Sequence, residues 1–131
     1  MVEARPRRVA VIEDDEAVRD SLALLLAAES YMVEFYPTAE TFLAQARWPA
    51  VDCLVLDLNL PALDGLQLVQ HMHTLGFVSP VLLVTGRIDP GTTSRARTVG
   101  VWRVIEKPYE AADLLTAIRV ALDSQRHRYK P

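Results

Sequence analysis

The run Val51-Asp52-Cys53-Leu54-Val55-Leu56 ends on a carboxylate, Asp57. A short apolar run closed by an acid has the pattern of a buried strand whose end meets a loop and water. Two further runs end in the same way. Arg8-Val9-Ala10-Val11-Ile12 leads into Glu13-Asp14-Asp15, and Pro80-Val81-Leu82-Leu83-Val84 leads into Thr85. A fourth, Val101-Trp102-Arg103-Val104-Ile105, leads into Glu106-Lys107-Pro108. If these strands lie side by side and parallel, acids, a hydroxyl and an amine meet at one sheet edge.

The segments between them carry helical spacing. A helix is predicted from Glu16 to about Ala28, with Val18, Leu22, Leu25 and Leu26 on one face and Asp15 as its N-cap. Tyr31 to Tyr36 alternates as a short strand, and Pro37-Thr38 opens a second helix that buries Phe42, Leu43 and Ala46, the region ending at Pro49. A third helix runs from Asp64-Gly65 to about Leu75, stopped by Gly76. The fourth, Thr92 to Val99, is polar and offers little apolar face. The last, Glu110 to about Arg126, carries Leu114, Ile118, Ala121 and Leu122 on one side. Continuous apolar strands alternating with helices predict an α/β fold, a doubly wound parallel sheet covered on both faces, hence three layers. Sites in such sheets lie outside the C-terminal strand ends, where the strand order reverses.

A chain of 131 residues is one domain of ordinary size, and its net charge of -3 gives no reason to expect direct nucleic-acid binding. Basic residues cluster at both ends, Arg5, Arg7 and Arg8, then Arg126, Arg128 and Lys130, and solvated termini are expected. The single cysteine, Cys53, is read as a small core residue in a reducing compartment. No apolar stretch approaches the roughly 20 residues of a membrane span. No secretory signal is visible, so a cytoplasmic location is expected.

Glu13, Asp14 and Asp57 crowd together if the first and third strands are neighbours. Carboxylates so close repel unless a cation joins them. Magnesium (Mg2+) commonly takes one or two carboxylates together with phosphate oxygens and keeps several waters. The plainer alternative is that Glu13, Asp14 and Asp15 only favour the first helix N-terminus. Lys107 brings a cation to the same edge, Thr85 a hydroxyl, and Gly86 room for an anion beside backbone N–H groups. A carboxylate nucleophile, a metal site, a lysine and a hydroxyl donor are the parts of phosphoryl transfer to an aspartate.

From about Arg8 to Leu122 the chain resembles the receiver domains of two-component response regulators. Leu56-Asp57-Leu58-Asn59-Leu60-Pro61-Ala62-Leu63-Asp64-Gly65 looks like their phosphorylation loop, and Ile12-Glu13-Asp14-Asp15-Glu16 like their acidic corner. Val84-Thr85-Gly86 and Glu106-Lys107-Pro108-Tyr109 match the switch threonine and the lysine–proline corner. The pattern looks most similar to receivers of helix-turn-helix transcriptional regulators. The resemblance implies a flavodoxin-like sheet of order 2-1-3-4-5 in a single receiver domain spanning 1–131, with a core of about 8–122 and a basic tail of 124–131. It implies Asp57 as phosphoacceptor and magnesium held by Glu13, Asp14, Asp57 and the backbone carbonyl of Asn59. Asp14 is expected nearer the ion, with Glu13 acting through water. Thr85 would bind the transferred phosphoryl group and Lys107 would form the ion pair, its bond to Pro108 being cis. The implied donor is a sensor histidine kinase or a histidine phosphotransfer protein. The implied output is a change at the face of the fourth helix, fifth strand and fifth helix, which is also a surface for a homodimer. A DNA-binding output domain would belong to a longer protein.

Some positions depart from the family pattern. Val104 stands where a switch Tyr or Phe is usual, and a valine cannot swing as a ring does. Trp102 is the nearest large ring and is read as an interface anchor rather than a plain apolar contact. Arg87 follows Gly86 where side chains tune water access to the phosphoaspartate. His71 and His73 diverge on their helix and do not make a metal pair. Two other functions compete. An aspartyl-phosphate hydrolase needs a second acid two residues after the nucleophile, and Asn59 cannot serve. A degenerate receiver acting only as a binding module is disfavoured by the intact set Asp14, Asp57, Thr85 and Lys107.

Overall fold

The computed structural model describes residues 5–57, 62–86, 88 and 90–128. In chain order the elements are β1 (Arg8–Glu13), α1 (Glu16–Ala27), β2 (Met32–Tyr36), α2 (Ala39–Gln45), a 3-10 turn (Trp48–Ala50), β3 (Cys53–Asp57), α3 (Ala62–Thr74), β4 (Val81–Thr85), α4 (Thr92–Val99), β5 (Arg103–Glu106) and α5 (Ala111–Arg128). The strands form one parallel sheet of order β2-β1-β3-β4-β5, the order expected from the resemblance.

Period-two alternation divides each strand between two cores. Ala10, Ile12, Leu54, Leu56, Val81 and Leu83 face α2, α3 and α4, where Phe42, Val69 and Met72 pack. Val9, Val11, Val55, Leu82, Val84 and Ile105 face α1 and α5, where Leu26, Leu114 and Ile118 pack. Cys53 lies in this second core, fully buried. Every residue of β3 and β4 is buried, which is why their sequences run apolar without a polar face. Gly65 lets α3 lie close on the sheet, since a Cβ there would come within 2.9 Å of Leu83 Cδ1.

The helix ends follow from local chemistry. Asp15 caps α1 by accepting from the N–H groups of Ala17 and Val18 at 2.9 and 3.2 Å. Thr38 caps α2 by accepting from Thr41 N–H at 3.0 Å. α4 differs at its two ends. Its N-cap, Gly91, supplies no side-chain hydrogen bond. Its C-cap, Gly100, sits at φ 88° and its N–H donates to Ala96 O and Arg97 O, while Val101 N–H donates to Ala96 O at 2.9 Å. Only Thr92 and Ala96 of α4 are buried.

Several expectations shift. The fifth strand was expected from Val101, but Val101 closes the helix turn and β5 begins at Arg103. Glu13, Asp57 and Thr85 are the last residues of their strands rather than loop residues, because the ladder continues one position further. The N-terminal arginines are not simply solvated. Arg5 pairs with Asp52, Arg8 with Glu34, and Arg7 Nη2 donates to Leu122 O at 3.2 Å.

Candidate functional site

The sheet delivers the chemistry-bearing residues to one edge. Glu13 and Asp57 are register partners at the ends of β1 and β3, and both are buried, at 1% and 0% exposure. Thr85 ends β4 beside Glu106, the last residue of β5, and is also buried. Lys107 follows directly. Its N–H donates to Thr85 O at 2.8 Å, and the Lys107–Pro108 peptide is cis. From that anchor the side chain crosses the end of β4, and Lys107 Nζ reaches Asp57 Oδ1 at 2.6 Å.

This ion pair is the main compensation the described protein groups offer Asp57. Neither carboxylate oxygen accepts a well-formed hydrogen bond from a described residue, and Glu13 Oε2 is likewise buried without a donor. Buried carboxylates are normally saturated with donors, and among the described residues these three oxygens have only the Lys107 ammonium beside them. The energetic sign agrees. Burial lifts the Asp57 carboxyl above its ordinary value although Lys107 pulls it down. Glu13 is pushed up to about 7, first by burial and then by the charge of Asp57, with Lys107 opposing. Burial pulls the Lys107 ammonium down, but Asp57 beside it outweighs this and the net shift is upward.

The pocket's donor set fits a hard divalent cation. Two buried carboxylates with free oxygens are oxygen ligands of the kind magnesium takes. Among the described residues no three His, Cys, Asp or Glu side chains gather as a ready-made cage. An ion that keeps several waters suits such an open set better than one needing an all-protein shell.

The structure thus brings Glu13, Asp57, Thr85 and Lys107 to one edge. Asp14 lies next to Glu13 but is exposed, and its charge still raises both Asp57 and Glu13. Asn59 and Arg87 lie outside the described residues. Val104 is half-buried and packs against the α2–α3–α4 core, while Trp102 is 42% exposed. His73 lies against the C-terminal end of α4. A Cβ on Gly100 would lie 3.1 Å from its ring.

Sequence reasoning missed two acids. Asp52, buried just before β3, receives both Arg5 guanidinium nitrogens at 2.8 and 3.0 Å and the Arg8 N–H at 2.8 Å. Its signal was an acid inside an apolar run, which requires a partner. Glu106 accepts from Ile88 N–H at 3.2 Å and so touches the β4–α4 loop. No local pattern marks that contact, because it depends on strand register.

A family model of the response regulator receiver domain matches residues 9–119. The chain belongs to that family. This receiver is similar to the transcriptional regulatory protein FixJ of Azorhizobium caulinodans, 34% identical over 114 residues, which cover 87% of this chain and 54% of that protein. It is also similar to the transcriptional regulatory protein TdiR of Thauera aromatica, 34% identical over 118 residues, covering 90% of this chain and 52% of that one. The receiver therefore spans about half the length of the curated relatives it matches. Among solved structures, the CheY-like receiver domain protein of Methanospirillum hungatei superposes with a TM-score of 0.82 at 29% identity, covering 95% of this chain and 99% of that one. Receivers of this family commonly bind magnesium at their acidic pocket and are generally not enzymes. Among the described residues no helix is long and apolar enough to cross a membrane.

Proposed function

We propose that this receiver is a phosphoacceptor, modified on Asp57 in the cytoplasm by a sensor histidine kinase or a histidine phosphotransfer protein. The observation that carries this reading is the state of Asp57: fully buried at the end of β3, with the Lys107 ammonium 2.6 Å away and, among the described residues, no other hydrogen-bond donor on its oxygens. A carboxylate left under-compensated in this way keeps lone pairs for attack.

Lys107 holds Asp57 ionised. An Asp57 oxygen attacks the donor's phosphorus, the phosphorus–nitrogen bond to the donor histidine breaks, and an acyl phosphate forms. Lys107 then pairs with a phosphoryl oxygen, and the Thr85 hydroxyl donates to another. Glu13, Asp14, Asp57 and the backbone carbonyl of Asn59 are the groups that would hold magnesium. Bound there, magnesium offsets the negative charge of acids and phosphoryl oxygens brought together. Asn59 has no acidic group to activate water, so the acyl phosphate persists and repeated hydrolysis is not expected.

The whole chain is read as one receiver domain with a basic C-terminal tail. The signal passes to the α4-β5-α5 face, where a second copy or a DNA-binding output domain of a longer regulator would respond. Acetyl phosphate with magnesium tests the core of this reading. Intact-mass measurement should show one phosphoryl group per chain in the wild type and none in Asp57→Asn. Equal uptake by the variant, or continuous turnover of acetyl phosphate, would overturn it.

A further inference from the structure

At Gly86 and Gly91, the two ends of the loop joining β4 to α4, an added Cβ would meet nothing within 4 Å. In the helix it leads into, the N-cap residue Gly91 makes no side-chain hydrogen bond, and only Thr92 and Ala96 are buried. In this setting one side-chain bond matters. Glu106 Oε2 accepts the Ile88 N–H at 3.2 Å, linking residues 18 apart in sequence. Glu106 ends β5 as the register partner of Thr85, and it directly precedes Lys107.

Strand order gives this bond a direction. Asp57 lies on β3, on one side of β4, and Glu106 lies on β5, on the other. The Glu106 carboxylate therefore draws Ile88, three residues past Thr85, towards the β5 side. A phosphoryl group on Asp57 would draw the Thr85 hydroxyl and the following backbone towards β3. The two pulls act on one short segment in opposite senses. Whatever stabilises the first arrangement alone weakens binding in the second by the same free energy.

We propose that Glu106 is a positioning residue whose carboxylate latches the segment after Thr85 on the β5 side and thereby opposes phosphoryl retention at Asp57. The proposal rests on the phosphoacceptor reading for its consequence, but the latch itself is a property of the unmodified chain. Glu106 touches no reacting atom and acts through the loop. Its role as hydrogen-bond acceptor is separable from its charge, because a glutamine keeps an acceptor oxygen and loses the charge.

The experiment uses the full chain as wild type, Glu106→Ala and Glu106→Gln. Two readouts are taken from amide spectra: hydrogen exchange at Ile88 without ligand, and titration with beryllofluoride and magnesium as a phosphoryl mimic. In Glu106→Ala, Ile88 should exchange faster, and beryllofluoride should bind about two- to tenfold tighter, the range one such hydrogen bond supplies. Glu106→Gln should stay close to wild type in both. Unchanged exchange at Ile88, weaker beryllofluoride binding in Glu106→Ala, or Glu106→Gln matching Glu106→Ala would each overturn the latch. The last outcome would assign the effect to charge alone. A wild type that takes up no beryllofluoride overturns the phosphoacceptor reading instead, while Ile88 exchange still reads the latch directly.

Discussion

Two buried aspartates bracket the central strand, and their surroundings are opposite. Asp52, before β3, is 5% exposed and meets a two-pronged guanidinium from Arg5, the Arg8 N–H and, at 3.7 Å, Arg7 Nε. Asp57, at the end of the same strand, is 0% exposed and, among the described residues, meets one lysine nitrogen. The first acid is matched with donors and joins three stretches of chain: the N-terminal arm, the start of β1 and the entry to β3. The second is under-matched, and its burial lifts its carboxyl rather than stabilising its charge. Burial of an acid therefore says little about its role. Among the described residues, the count of donors is what distinguishes the acid that holds the fold from the proposed phosphoacceptor.

Exchanging the two roles by mutation tests this division. The largest effect is on phosphoryl uptake: Asp57→Asn should abolish it, and Asp52→Ala should retain it at temperatures where the variant is folded, both read by intact mass. Asp52→Ala should instead cost about 3 kcal/mol of stability, since it strands the Arg8 N–H and removes a buried ion-pair partner. Urea unfolding would show this, and a loss under about 1 kcal/mol would break the comparison.

Next comes pH, with a chelator present. The folded Glu13 carboxyl is held up to about 7 against an ordinary 4.5. The folded state then binds more protons than the unfolded state between those values. This contribution to stability is fully present below 4.5 and is lost as pH rises through about 7. The fall should be on the order of 3 kcal/mol, and Glu13→Gln should flatten it. Unfolding midpoints across that range check the slope. The smallest effect belongs to Arg5→Ala. The Arg5 side chain is 58% exposed and Asp52 keeps its bond to Arg8, so thermal unfolding should register less than about 1 kcal/mol.

The sheet was legible in the sequence because β3 and β4 are buried on both faces, leaving unbroken apolar runs. Asp15 was legible as a cap, and Pro37-Thr38 as the opening of α2, because capping chemistry is local. The start of β5 was not. Val101 is apolar like a strand residue, yet its N–H serves the turn that ends α4. The candidate site was legible as a set of residue types at strand ends, and the register then paired Glu13 with Asp57. The partners of Asp52 and Glu106 were hidden for a common reason. Each acid bonds across a gap in sequence, 47 residues to Arg5 and 18 to Ile88, that only the folded topology closes.

The unequal ends of α4 have a mechanical consequence. Its C-terminal turn is pinned by the paired bonds of Gly100, by Val101 to Ala96, and by Trp102 N–H to Val81 O. Its N-terminal turn follows Gly91, which makes no side-chain hydrogen bond, and continues the loop after Thr85. An eight-residue helix fastened this way is a lever about 12 Å long, with its pivot at the far end from Asp57. A tilt of about 10° moves the free end by about 2 Å over that length and leaves Gly100 in place. The glycine at the fulcrum thus fixes which end of the α4 surface travels and which stays still.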